Sequence, residues 1–318
     1  VIITTLIYTL YGGLRTSILT DNFQFLIIII LLFVCANNVL SSDFISYKNI
    51  INNSGILFSS KYIPNYTAGI TFFIAVAATN LFHQGNWQRV FAAKNYNVLN
   101  KSLKLSFLII IPIVFFMGFT GIIAISIDSK INPDLAFFSI LLKDKSEILC
   151  MVIIILAVSL TVSTIDTLVN AISSLIIVNG EQVNKYLKGK KIKNKIQKII
   201  LLLSLIVFFF ASKGYSILYL FLLADLLCCG AVITIFYGFF NNKINQNIAV
   251  ISITSGLILG LLFFPSQDFQ SSILVGNLIS IHNFSSFVKM NLLFISFLVS
   301  LFVPLIILSI YSLRNSFR

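Results

Sequence analysis

The sequence predicts an all-α protein, a polytopic membrane helical bundle. Three observations predict it. Of 318 residues, 58% are hydrophobic and only 10% are charged, with a mean hydropathy of +0.99. A soluble domain carries about 25% charged residues, so a water-soluble enzyme is excluded. Apolar runs of bilayer length recur along the whole chain. The ten-residue segments of alternating polarity that mark a membrane β-barrel are absent, and in lipid only helices or closed barrels satisfy their own backbone.

The spans follow from length. A helix needs about 20 mostly apolar residues to cross a bilayer. Such runs occupy 21–42, 66–88, 103–127, 148–178, 197–212, 214–239, 247–264 and 288–312, and residues 1–11 read as the end of one more. Residues 1–318 are therefore expected to form a single transmembrane domain, about eight full spans and one partial. The chain starts at Val1 inside an apolar run, which reads as a fragment without its N-terminal part, and it has no signal-peptide pattern.

Net charge is +12. If the chain crosses at each span, one set of loops holds 15 Lys and Arg, seven of them between Lys185 and Lys198, and the other set holds 7. The richer side is expected to be cytoplasmic. The basic balance thus points to the inner loops of a multi-pass protein of the cell membrane and away from nucleic acid. The lysine run reads as a solvated inner loop, with a lipid-headgroup patch as the alternative. Asn52, Asn65 and Asn283 stand in Asn-x-Ser/Thr triplets of the outer loops, a chance outcome in so Asn-rich a chain. Cys35, Cys150, Cys228 and Cys229 lie in apolar segments without metal-ligand or disulfide spacing.

Polar residues within spans are costly and mark function by default. Residues 8–24 carry Gly12 and Gly13, expected to break a helix, then Thr20 and Asp21, expected to open the next one as caps or as a cation contact. Residues 79–89 place Asn80, His83, Gln84, Gly85, Asn86 and Gln88 after an apolar run; interrupted helices of this kind line transport sites. Along 148–178, Ser159, Ser163, Asp166, Asn170 and Ser173 follow spacings of four, three, four and three, one polar stripe on a long helix. Hydroxyls at Ser163 and Thr164, with the carbonyl of Leu160 one turn earlier, suit a hard monovalent cation; hydroxyls bonding back to their own helix are the plainer reading. Asp225 sits inside the span 214–239 and needs a polar partner that the sequence does not name.

These stretches resemble one family. Tyr8, Thr9, Gly12, Gly13, Leu14, Thr20, Asp21 and Gln24 match the signature of the sodium:solute symporters, with Thr16 where the family has alanine. The run from Asn80 to Lys94 is similar to the family's sixth core helix, and Ser163 to Asp166 to its eighth. The resemblance covers nearly the whole chain, although the last two spans carry no motif. It implies part of a leucine-transporter-like inverted-repeat core. It also implies a sodium site at Leu160, Ser163 and Thr164, a further role in the sodium path for Asp21, and solute contacts at Asn80, His83 and Gln84. Histidine at 83 departs from the aromatic gate of sugar carriers. The family's first three core helices would precede Val1.

The function expected from the resemblance is secondary active transport: sodium-coupled symport of a small polar solute by alternating access. The partners would be the solute, Na+ and the bilayer, with sodium as coupling ion and no cofactor. The alternative is a symporter-like sensor, the input module of a signalling protein. An enzyme is not expected, because HExxH, GxSxG and paired His/Asp arrangements are absent from the spans.

Overall fold

The computed structural model describes residues 2–41, 45, 47–142, 147–183, 190–241, 244–267, 269, 271–272, 274–275 and 285–316. Asn283, Lys185, Lys188 and Lys243 lie outside the described residues, as do Asp43, Lys143, Asp144, Lys145, Asp268 and Arg318. The described residues form the helices α1 (Ile2–Leu40), α2 (Tyr47–Ser54), α3 (Ile63–Phe82), α4 (Gln84–Ala92), α5 (Tyr96–Ile127), α6 (Ala136–Leu141), α7 (Glu147–Val183), α8 (Lys190–Ala211), α9 (Ile217–Phe240), α10 (Gln246–Phe263), α11 (Ser286–Met290) and α12 (Leu292–Ser316). Among the described residues, seven stretches are long and apolar enough to cross a membrane: Leu14–Leu40, Ile63–Phe82, Tyr96–Ile127, Glu147–Asn179, Ile217–Phe240, Gln246–Phe263 and Leu292–Arg314. The apolar part of α8, Ile196–Ala211, is shorter.

The break expected at Gly12 and Gly13 does not occur. α1 runs unbroken from Ile2 to Leu40, so Thr20 and Asp21 stand in mid-helix rather than at a cap. A glycine inside a helix costs only about 1 kcal/mol. In an apolar segment no water competes for the backbone groups that a break would expose. The Thr20 hydroxyl lies 3.0 Å from Thr16 O and 2.9 Å from Ser17 O of its own helix and 3.2 Å from Asp166 Oδ2 of α7, three acceptors that share one proton.

The chain divides into two compact units. The first, residues 1–58 and 84–214, packs α1 along α7, α5 against α2 and α6, and α4 and α8 against α7. Its core joins Cys35 and Val39 of α1, Ile123 and Ala124 of α5, Phe137, Ile140 and Leu141 of α6, and Leu149, Ile153 and Leu156 of α7. A smaller cluster seats Ile196 and Ile200 of α8 on Val169 of α7. The outward faces stay apolar: Phe23 is 73% exposed and Phe115 76%. So much exposed apolar surface is foreign to a soluble monomer and fits lipid as the solvent.

The second unit, residues 59–83 and 215–318, is built from α3, α9, α10 and α12. Ala75 and Ala78 of α3 meet Leu222, Leu226 and Cys229 of α9, with Phe264 and Phe297 completing the core. Between α10 and α12 the helices approach closely. A Cβ built on Gly256 would lie 2.6 Å from Pro304 Cγ and 3.0 Å from Ser300 O, and one on Gly260 would lie 2.8 Å from Ser300 Cβ. Small residues four apart are the usual device for close helix contact in membranes, where packing and hydrogen bonds replace the hydrophobic effect. Pro304 has no N–H, so the carbonyl of Ser300 has no donor from that position. Hydroxyls thread the same contact: Thr234 donates to Ser252 at 3.1 Å, and Ser252 donates to Pro304 O at 3.1 Å. Ser296 donates to Gly260 O at 2.7 Å.

Gly256→Leu should force α10 from α12 and destabilise the protein by about 1–3 kcal/mol, the usual range for overpacking. Thermal unfolding of the detergent-solubilised protein would read this as a lowered midpoint. An unchanged midpoint would show that the two helices are not held in this contact.

Candidate functional site

The polar stripe of α7 faces α1. Two cross-helix bonds fix the pair: Thr20 donates to Asp166 Oδ2 at 3.2 Å, and Ser163 donates to Asp21 Oδ1 at 2.9 Å. Rising numbers on α1 meet falling numbers on α7, so the two helices run antiparallel. Each helix contributes one acid and one hydroxyl to the other. Asp166 is fully buried and accepts a second bond from Asn170 Nδ2 at 2.9 Å on its other oxygen.

α4 closes the cluster. Arg89 Nη2 binds Asp21 Oδ2 at 2.6 Å and Thr167 Oγ1 at 3.0 Å, and Gln88 Nε2 donates to the carbonyl of Asn170 at 3.2 Å. Arg89 is 40% exposed and Asp21 19%. One guanidinium nitrogen therefore holds α1 and α7 together from a third helix. Two polar oxygens on the α1 face, Ser17 Oγ and Gln24 Oε1, are buried without a hydrogen-bond partner among the described residues.

The residues predicted for a sodium site divide. Asp21 and Ser163 are brought into direct contact. Thr164 is exposed on its unit and back-bonds to Leu160 O at 2.9 Å, and Leu160 is itself 40% exposed. The outer members of the stripe contribute less: Ser173 back-bonds to Val169 O at 2.7 Å.

The residues predicted for a solute site fall into different units. α3 ends at Phe82, and His83 takes an extended backbone at φ −69, ψ 99 before α4 begins at Gln84. Asn80 and His83 belong to the second unit, Gln84 to the first. Asn80 is exposed and donates to Val76 O at 2.8 Å. His83 Nδ1 is buried without a hydrogen-bond partner among the described residues.

Asp225 of α9 finds its partner in the same unit. Thr79 of α3 donates to its Oδ1. Asp225 is 8% exposed. An acid in mid-span costs several kcal/mol, about 2.5–3.5 on insertion scales. Sequence reading pointed to Asn80 and missed Thr79, which lies on the next helical position and faces α9. Arg89 as the partner of Asp21 was missed for the same reason, because a loop-like basic residue carries no signal of the helix it meets.

No protein-family model matches the chain, and no solved structure matches it. Over 287 residues it is 27% identical to the spermidine transporter DUR31 of Candida albicans (strain SC5314 / ATCC MYA-2876). The match covers 88% of this chain and 53% of that protein, so the chain spans about half the length of the relative. The chain is a multi-pass membrane protein. Its seven apolar helices and its similarity to a transporter both say so. The relative's name gives its cargo and no coupling ion.

Arg89→Ala should destabilise the first unit by about 1 kcal/mol, a modest figure because the pair is partly exposed. Arg89→Lys keeps a charge for Asp21 but loses the planar fork. Unfolding midpoints in detergent should fall in the order wild type, Lys, Ala, and three equal midpoints would remove the clamp.

Proposed function

We propose that this chain forms part of a sodium-coupled secondary transporter that carries a small polar solute by alternating access. One observation carries the reading: Ser163 of the α7 stripe lies on Asp21 of the α1 motif, 142 residues away in sequence. Two stretches matched separately to the symporter pattern thus meet at one polar junction. The similarity to a spermidine transporter supports transport over the sensor alternative and makes a protonated polyamine the first solute to test.

The mechanism follows from oxygen chemistry. The Leu160 carbonyl already accepts the helical N–H of Thr164 and, at 2.9 Å, the Thr164 hydroxyl, so an ion that takes this oxygen displaces the hydroxyl proton, while the hydroxyls of Ser163 and Thr164 keep lone pairs of their own. A sodium ion takes such oxygens directly, and the Asp21 carboxylate beside Ser163 supplies negative charge. Ion binding that favours one arrangement of the helices shifts the population toward it, by no more than the difference in affinity between the two arrangements. Solute then enters the arrangement that the ion has favoured; Asn80 and His83 are the proposed solute contacts of the second unit and Gln84 that of the first. Arg89 must leave Asp21 wherever the ion uses both of its oxygens.

The test is uptake by the complete protein. Ser163→Ala and Thr164→Ala should each raise the sodium concentration giving half-maximal uptake by roughly fivefold or more, the equivalent of one oxygen contact of about 1 kcal/mol or more. Normal sodium dependence in both variants would reject these residues as the site. Uptake independent of sodium in the wild type would reject the coupling itself.

A further inference from the structure

Apart from Glu147, the first residue of its span, three carboxylates lie inside described spans, and two are fully engaged. Asp21 accepts from Ser163 on one oxygen and from Arg89 on the other. Asp166 accepts from Asn170 on one and from Thr20 on the other. Asp225 differs: Thr79 donates to Oδ1, and among the described residues nothing donates to Oδ2 and no basic side chain pairs with the acid. It is the single carboxylate on α9, a helix without Lys, Arg or His, and lies roughly 12 Å from the start of a helix roughly 36 Å long. An acid at such depth that lacks a protein countercharge marks a functional site.

The surroundings choose the kind of cation. Leu222 and Leu226 flank Asp225 on α9, and Ala75 and Ala78 line the facing helix. The polar atoms at hand are one carboxylate, the Thr79 hydroxyl, which donates its proton to the acid and keeps lone pairs to accept from a third group, and the Cys228 thiol within hydrogen-bonding reach of Thr79. An alkali ion asks for more oxygens than these groups hold, and no group of three or more metal-ligating acids, histidines or cysteines occurs among the described residues. A primary or secondary ammonium asks for less: one charge-assisted bond to the carboxylate, a second to a hydroxyl, and apolar wall for its methylenes.

We propose that Asp225, supported by Thr79, is the residue that recognises a protonated amine of the solute. The proposal deepens the transport reading above and rests on it for the solute, not for the sodium ion.

The test is equilibrium binding of tritiated spermidine to the purified complete protein. Asp225→Asn keeps size and keeps an oxygen for the Thr79 proton, so the contact between α3 and α9 survives while the charge is gone. It should weaken binding roughly thirtyfold or more, the usual scale for removing one partner of a desolvated charge pair. Thr79→Val should weaken it severalfold, and Asp225→Glu should retain a measurable part. In the wild type, putrescine should compete and the neutral 1,4-butanediol should not, a readout that stands even if a variant fails to fold. Unchanged spermidine affinity in a folded Asp225→Asn overturns the proposal. So does equal competition by the diol, or a variant that shifts only the sodium requirement and leaves spermidine affinity intact. A wild-type protein that binds no amine overturns it too. Spermidine binding that ignores sodium would reject the coupling and leave the assignment of Asp225 standing.

Discussion

A carboxylate inside an apolar helix needs hydrogen-bond donors that its own helical backbone cannot give, and that constraint organises the first unit. Its own helix offers few donors, since the backbone N–H groups are already used. Asp21 and Asp166 solve the problem reciprocally: α1 lends Thr20 to the acid of α7, and α7 lends Ser163 to the acid of α1. The two bonds lie about one turn apart along α7. A slide of either helix by one turn would break both at once and leave one oxygen of each acid without its donor, at about 1–3 kcal/mol each. The packing of Cys35 against Leu149 and Leu156 further along the same pair follows the register that the polar end sets.

The second unit is held by a different device. α10 and α12 are brought together by the absence of side chains at Gly256 and Gly260, with hydroxyls of Ser252 and Ser296 reaching carbonyls on the partner helix. α3 meets α9 in the same spirit, through Ala75 and Ala78, which are almost wholly buried. Close approach is what lets a side chain as short as threonine bridge from Thr79 to Asp225. Small residues therefore fix the distance, and the polar contact becomes possible once the distance is short.

Much of this was legible in the sequence because hydropathy and length set the spans almost unaided. The polar stripe at Ser163, Asp166 and Asn170 was legible too, since helical periodicity tells which residues share a face. Which neighbour that face meets was not. Periodicity carries no information about a partner 142 or 146 residues away, so Thr20 for Asp166 and Thr79 for Asp225 emerged only from packing. The Gly12–Gly13 pair misled for a different reason. Glycine weakens helices in water, where the exposed backbone can bond to solvent, and that competition vanishes among apolar residues. Thr164 shows the limit of motif reading from the other side: adjacent hydroxyls at 163 and 164 point about 100° apart on a helix, so one faces Asp21 and the other is exposed on its unit.

The degree of hydrogen-bond saturation separates the roles open to the three acids. Asp166, fully buried and met on both oxygens by neutral donors, has no mobile partner to give up and behaves as part of the frame. Asp21 is also met on both oxygens, but one donor is a guanidinium that is 40% exposed. Water and ions can reach that pair, so Arg89 is exchangeable where Asn170 is not, and an arriving cation competes with a charge already present rather than with bare solvent. On the proposed reading, such competition would lower ion affinity and couple ion arrival to a loosening of α4, because the same nitrogen that leaves Asp21 would also leave Thr167 on α7, with Gln88 still on the carbonyl of Asn170. A site that binds weakly but moves a helix when it binds suits a carrier better than one that binds tightly and moves nothing, since only a differential interaction between two arrangements can shift their populations.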